Sequence, residues 1–197
     1  MPLFTESQLR NRFNQESHRR NIRYFSAATV LNENKQQAQT AVGFDIFLSH
    51  SSNDKELIAG LTLLLKDLGY TVYVDWFDPE LNHNNVTPKT AAVLRTKMSQ
   101  CKSMIYAFSE NASNSKWMPW ELGYFDALKD SKIAVLPISK YSKNSYIGSE
   151  YVGLYYHIQI DRIKNSEKEA LWVHNGDDYV IYSDWIKGHK PFRHYIR

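Results

Sequence analysis

Between residue 43 and about residue 160, short apolar runs alternate with amphipathic stretches, and the alternation predicts the elements. Phe44-Asp-Ile-Phe-Leu-Ser49 is a compact apolar run ended by the polar turn His50-Ser-Ser-Asn-Asp54, which predicts a buried strand. Leu57, Ile58, Leu61, Leu64, Leu65 and Leu68 then recur at helical spacing, and Gly69 follows as a terminating residue. Tyr70 to Asp75 predicts a second strand. A polar loop from Phe77 to Thr87 leads into Pro88 and a helix with Ala92, Val93 and Met98 facing inward. Lys102 to Ser109 predicts a third strand, Ser113 to Leu128 the next helix, and Lys132 to Ile138 a fourth strand. With so little room for hairpins, this order predicts an α/β chain, its parallel sheet covered by helices on both faces. Ligands of such sheets collect outside the carboxyl ends of the strands, and the loops 49–54, 75–87 and 109–117 all fall on that edge.

The flanks read differently. Residues 1–42 carry a sparse apolar face (Leu9, Phe13, Ile22, Phe25) behind a plausible cap at Thr5, then become polar. They predict an N-terminal helical extension docked on the main domain or on a partner. The main domain spans 43–160, with Tyr155 to Ile160 as a fifth strand. Residues 161–197 predict an appendage packed on it: a hairpin over Leu171 to Tyr182 turning at Asn175-Gly176, and a last short helix from Trp185 and Ile186.

Composition narrows the function classes. At 197 residues the chain can bury a full core. A net charge of +3, with 24 basic and 21 acidic residues interspersed, makes no electrostatic case for a nucleic-acid partner. One cysteine excludes an intrachain disulfide framework and suits a reducing cytosol. No apolar run approaches membrane-spanning length and no signal-peptide core opens the chain, so a cytoplasmic protein without a membrane partner is expected. Neither a phosphate-cradling P-loop nor a dinucleotide glycine fingerprint is present. Seven scattered histidines and the single Cys101 assemble no zinc spacing, so no metal site is expected. Cys101 itself reads as core rather than nucleophile, and His157 as a solvent-side or hydrogen-bonded strand histidine.

The densest chemistry lies in Ser113-Asn-Ser-Lys-Trp-Met-Pro-Trp-Glu-Leu-Gly-Tyr-Phe-Asp-Ala-Leu128. Serines and asparagine suit a helix cap, and Pro119 suits a first turn. Trp117, Glu121, Tyr124, Phe125 and Leu128 recur three and four apart, along one stripe. A carboxylate on an apolar stripe is rarely buried without a partner. Glu121 therefore either sits solvated at the stripe's edge or lines a pocket. Its place in the first turns of the helix favours the charged form by about 0.3–1 kcal/mol, which argues for an anion and a poor proton donor.

Phe44-Asp-Ile-Phe-Leu-Ser-His50, Tyr73-Val-Asp-Trp76 and Ser115-Lys-Trp-Met-Pro-Trp-Glu121, in that order, resemble the TIR (Toll/interleukin-1 receptor) domain, and most of all its bacterial enzymes. The resemblance covers roughly 43–160. It implies a flavodoxin-like fold and cleavage of the nicotinamide–ribose bond of NAD as substrate, without a cofactor. It also implies Glu121 as the essential residue, with Ser49, His50 and Ser51 after the first strand and Asp75 after the second around the same site. Trp117 offers a face to a cationic pyridinium, and Trp76 fits site, interface or core. The polar loop 77–87 matches the loop through which the family commonly self-associates. A short chain of this kind with its own N-terminal helices resembles the Thoeris-type sensors of antiviral defence, whose ADP-ribose-derived signal activates a separate effector protein. Ser51 and Ser52 stand where some catalytic relatives have basic residues, so phosphate contacts must come from elsewhere. Two alternatives share the fold: a non-enzymatic TIR interaction module and a nucleoside deoxyribosyltransferase-like enzyme. The product, whether linear, cyclic or conjugated ADP-ribose, depends on which nucleophile meets the ribosyl cation and is not written in these motifs.

Overall fold

The computed structural model describes residues 3–20, 26–30, 32–33, 42–75, 87–129, 132–142 and 150–193. A first strand β1 (Phe4–Thr5) runs into helix α1 (Glu6–Arg20). The main alternation follows as β2 (Phe44–Ser49), α2 (Lys55–Asp67), β3 (Val72–Tyr73), α3 (Pro88–Ser99), β4 (Cys101–Phe108), α4 (Met118–Lys129) and β5 (Ile133–Ser139). The chain then forms β6 (Tyr156–Arg162), β7 (Glu169–Asn175), β8 (Asp178–Ile181) and a short α5 (Tyr182–Trp185).

These strands make one sheet in the order β3-β2-β4-β5-β6-β7-β8. It is parallel from β3 to β6, and β7 and β8 extend it antiparallel at one edge. This is the doubly wound arrangement expected from the strand–helix alternation. The hairpin turns one residue later than Asn175-Gly176 implies: Asn175 pairs with Asp178, and Gly176 takes the positive φ of 60°. Each face of the sheet carries its own core. Ile46, Leu48, Ile105, Leu136, Ile58 and Leu61 pack on one side, under α1, α2 and α5. Phe47, Tyr106, Val135, Met98, Leu122 and Phe125 pack on the other, under α3 and α4. Alternating strand residues feed opposite cores, as a pleated strand requires.

Local signals hold where they are strong. Gly69, with φ 89°, ends α2 as a Schellman motif, with Tyr70 N–H donating to Leu65 O and Gly69 N–H to Lys66 O. Thr87 opens α3 with a reciprocal capping box to Thr90. On α3, however, Thr90, Leu94 and Met98 face the core while Ala92 is exposed, because the helix turns its Leu94 side to the sheet. Leu128 likewise ends exposed and leaves the α4 stripe early.

The N-terminal helix docks tightly. Thr5 and Gln8 cap α1 reciprocally, and Phe4 and Thr5 add a two-residue parallel strand to the end of β5 at Ile138 and Ser139. Where α1 crosses α2, a side chain on Gly60 would place its Cβ 2.0 Å from the Leu9 carbonyl oxygen, so only glycine permits this approach. Phe13 and Val30 fill the seam against Ala59 and Leu63. Beside the seam Glu16 is buried under three guanidinium groups, with Arg19 and Arg20 at 2.6 Å and Arg12 at 3.0 Å. Burial opposes its charge, but hydrogen bonds from Arg19, Arg20 and Arg12 outweigh that and hold the carboxyl down at about 2.

Candidate active site

Strand parity places the first site residue. Ile46 and Leu48 of β2 feed the α2 core, so Ser49, in step with Phe47, points to the face that α4 covers. There it meets Glu121. The Ser49 hydroxyl donates to Glu121 Oε2 at 2.6 Å, and both residues are buried, at 1% and 3% exposure. On the α4 side, Trp117 stands one residue before the helix and its carbonyl accepts the Glu121 N–H at 2.9 Å, which sets Glu121 in the first turn. Ser115 Oγ accepts the Met118 N–H at 3.3 Å and holds the helix start.

The charge state of Glu121 differs from the local expectation. The helix start favours an anion, yet the carboxyl is pushed up to about 8. Burial is the main cause, the negative charge of Asp75 adds to it, and the Ser49 hydrogen bond pulls the other way. A terminal dipole contributes at most about 1 kcal/mol at an exposed site, and full desolvation exceeds that. Burial and the Asp75 charge therefore favour the neutral carboxylic acid of Glu121, against the pull of the helix start.

His50 and Asp75 stand beside this pair. His50 Nδ1–H donates to the Leu48 carbonyl at 2.9 Å, and Asp75 Oδ1 lies 3.7 Å from the same nitrogen. That donation fixes the ring's orientation and leaves Nε2 as the acceptor nitrogen of the neutral ring. Ser51 is buried in the turn that follows, where its hydroxyl accepts the Asn53 N–H at 3.4 Å and its carbonyl the Asp54 N–H at 3.1 Å. It shapes the loop. Ser49, His50, Asp75 and Glu121 thus come together at the carboxyl edge of the sheet, and Ser51 lies in the turn that follows His50. Trp117 is half-buried against the α3–α4 core, its ring edge-on to Trp120 at 5.3 Å. Trp120 stacks on Tyr124, and the Arg95 guanidinium lies over both rings. Trp76 and residues 77–86 of the polar loop lie outside the described residues.

One group escaped the sequence reading. Asp54 precedes α2 and looks like an ordinary cap, but its side chain makes no bond to its own helix. Its oxygens instead accept from the Ser109 hydroxyl and from Asn111 Nδ2, the latter at 2.6 Å. Asp54, Ser109 and Asn111 all lie in loops already assigned to the carboxyl edge, and that was the available signal. Cys101 is buried in the α3–α4 core, and burial pushes its thiol up to about 12. His157 stacks on His174 across β6 and β7, with ring centroids 5.3 Å apart. Among the described residues no cluster of three or more histidine, cysteine, aspartate or glutamate side chains could hold a metal ion. Among them, too, no helix is long and apolar enough to cross a membrane.

Comparison with known proteins adds to this geometry. The model of the TIR domain family matches residues 46–170. A Bacillus cereus (strain MSX-D12) protein named "Probable 3' cyclic ADP-D-ribose synthase ThsB'" is 42% identical over 194 residues, covering 95% of this chain and 99% of its own. A Methanobrevibacter olleyae protein named "Probable 2' cyclic ADP-D-ribose synthase TcpO" is 36% identical over 112 residues, 53% of this chain and 30% of that one. The first similarity runs through the N-terminal helix and the C-terminal hairpin as well as the sheet.

Proposed function

The chain belongs to the TIR domain family, and on that premise we propose that it is an NAD-consuming cyclic ADP-ribose synthase with Glu121 as its catalytic residue. The observation that carries this reading is the buried Ser49–Glu121 pair beside Asp75 at the carboxyl edge of the sheet. Two neighbouring carboxyl groups, Glu121 buried and Asp75 half-buried, favour a cationic ligand, and the nicotinamide ring of NAD is a cation. As that charge enters, it stabilises the carboxylate and lowers the Glu121 pKa, so the proton passes to solvent and substrate binding itself favours the anion. Asp75 assists by attraction, and the Ser49 hydroxyl holds the ionised oxygen in place.

The reaction then breaks the bond between ribose C1′ and the pyridinium nitrogen. The bonding pair leaves with nicotinamide, which departs neutral and needs no proton. Positive charge develops on C1′ and the ring oxygen as an oxocarbenium ion. A fixed carboxylate next to that charge is worth about 2–4 kcal/mol of barrier, by analogy with oxyanion-hole donors. In ring closure a hydroxyl of the same ADP-ribose attacks C1′ and its proton passes to Glu121. A carboxylate whose pKa lies near neutrality is a better base for that step than an ordinary one. Closure through the 3′ position is the product we assign, following the relative similar along nearly its whole length. Water reaching the cation first would yield linear ADP-ribose, so the dry setting of Glu121 serves product choice as well as rate.

The product acts as a signal nucleotide in antiviral defence and is read by a separate effector protein. The 77–87 loop is the surface we assign to self-association. Incubation of the purified protein with NAD, followed by chromatography of nicotinamide and the nucleotide products, tests the assignment. Cyclic product from the native protein and none from folded Glu121→Gln is expected. Equal nicotinamide release by Glu121→Gln would overturn the mechanism.

A further inference from the structure

We propose that Asp54 is a positioning residue for the reaction, tying the loop that carries Ser49 and His50 to the segment that leads into Glu121. The inference rests on the activity assigned above. A residue in the position of Asp54 ordinarily spends its carboxylate on the first amides of its own helix. Here the backbone carbonyl of Asp54 accepts the Ile58 N–H at 2.9 Å, but the side chain turns across the sheet edge. One oxygen accepts from the Ser109 hydroxyl, 55 residues along the chain. The other accepts from Asn111 Nδ2, 57 residues along. Asp54 and Ser109 are buried, and the N-terminus of α2 favours an anion at that point.

The geometry makes a closed frame. Ser109 follows β4, and Asn111 opens the turn that passes through a short 3-10 segment, Ala112–Asn114, into Ser115, Trp117 and α4. The loop 49–54 is therefore fastened to the segment 109–121 at both ends. Ser49 bonds Glu121 at one end, and Asp54 bonds Ser109 and Asn111 at the other. Ser49 is held in β2 by its pairing with Tyr106, but residues 50–54 and 109–117 lie beyond their strands, so the Asp54 bonds fix how the turn that carries His50 sits against the segment that leads to Glu121. Displacement of a reacting group by about 1 Å can cost on the order of 100-fold in rate.

Asp54→Ala, Ser109→Ala and the exchanged pair Asp54→Asn/Asn111→Asp test the proposal. In folded Asp54→Ala, kcat for nicotinamide release should fall on the order of 10- to 100-fold. The pH midpoint of kcat/KM should also move down, because a loosened loop admits water to Glu121. The exchanged pair rebuilds a bond between the two loops and should recover most of the lost kcat. A folded Asp54→Ala protein with native kcat and native pH midpoint overturns the proposal. Should Asp54→Ala not fold, Ser109→Ala decides, with a kcat loss on the order of tenfold expected and an unchanged kcat refuting it. Amide hydrogen exchange of the ligand-free protein separates this inference from the activity itself. In Ser109→Ala, amides 50–53 should exchange faster together with those of 110–115, whether or not the protein turns over NAD. Acceleration confined to 110–115 would overturn the coupling of the two loops. Absence of nicotinamide release from the native protein would instead overturn the proposed function.

Discussion

Removal of the Ser49 hydroxyl separates two roles that a simple loss of activity would confuse. The hydroxyl donates to Glu121 Oε2 at 2.6 Å in a buried setting, so it is a charge-assisted bond when the carboxyl is ionised. Such bonds contribute about 1.5–3 kcal/mol, and one pH unit corresponds to about 1.4 kcal/mol. The neutral acid also bonds to a hydroxyl, so only the difference between the two states counts. A rise of about 1 unit in the Glu121 pKa, from about 8, is the expected effect of Ser49→Ala. Catalysis uses the ionised form, so kcat/KM rises with pH through that pKa to a plateau. Below the midpoint, a rise of about 1 unit lowers the ionised fraction, and with it kcat/KM, roughly tenfold. Near pH 10 the two proteins should converge, because both carboxyls are then ionised. The assay is nicotinamide release at low NAD from about pH 6 to about pH 10, with refolding checked by circular dichroism. An unshifted midpoint with an equal loss at every pH would refute the tuning role and make Ser49 a substrate contact.

Further outcomes follow from the same charges. Asp75→Asn removes a negative neighbour, so the midpoint of kcat/KM should move below about 8, opposite to Ser49→Ala. The folded pKa of Glu121 lies above its unfolded value, so its burial costs stability progressively as pH rises from about 4.3 to about 8. Glu121→Gln should therefore raise Tm at pH 8 and leave it nearly unchanged below pH 4, as read by thermal melts; an equal gain at both pH values would contradict the assignment. Glu16 has the opposite sign, because its folded pKa of about 2 lies below the unfolded value. Its contribution is complete above about pH 4.5 and is lost as pH falls toward 2, and Glu16→Gln should cost about 2 kcal/mol at pH 7 by urea denaturation. Gly60→Ala gains about 1 kcal/mol of helix propensity but drives a methyl into the Leu9 carbonyl, so a net loss of about 1–3 kcal/mol is expected in the same assay.

Much of this protein is written locally. The apolar runs at Phe44–Ser49, Cys101–Phe108 and Ile133–Ser139 mark parallel strands, and Gly69 marks a helix end, because each depends on neighbours within a few residues. Their order alone implies a parallel sheet and a carboxyl edge on which Ser49, Asp75 and Glu121 fall. Other features had no local signal. A two-residue strand at Phe4–Thr5 is too short to read, and the inward face of α3 is not legible at Ala92 because the helix's apolar residues do not form a single stripe. The docking of α1 depends on a glycine in a different helix, and the bonds of Asp54 on residues more than fifty positions away.

The charge of Glu121 shows where the boundary lies. Sequence alone determined its position in the first turn of α4, and with it a helix dipole that favours an anion. Only the tertiary structure brought Ser49 against it from 72 residues away, buried the pair and placed the Asp75 charge nearby. Desolvation and Coulomb interaction depend on what surrounds a group in space, and here they outweigh a dipole fixed by chain position.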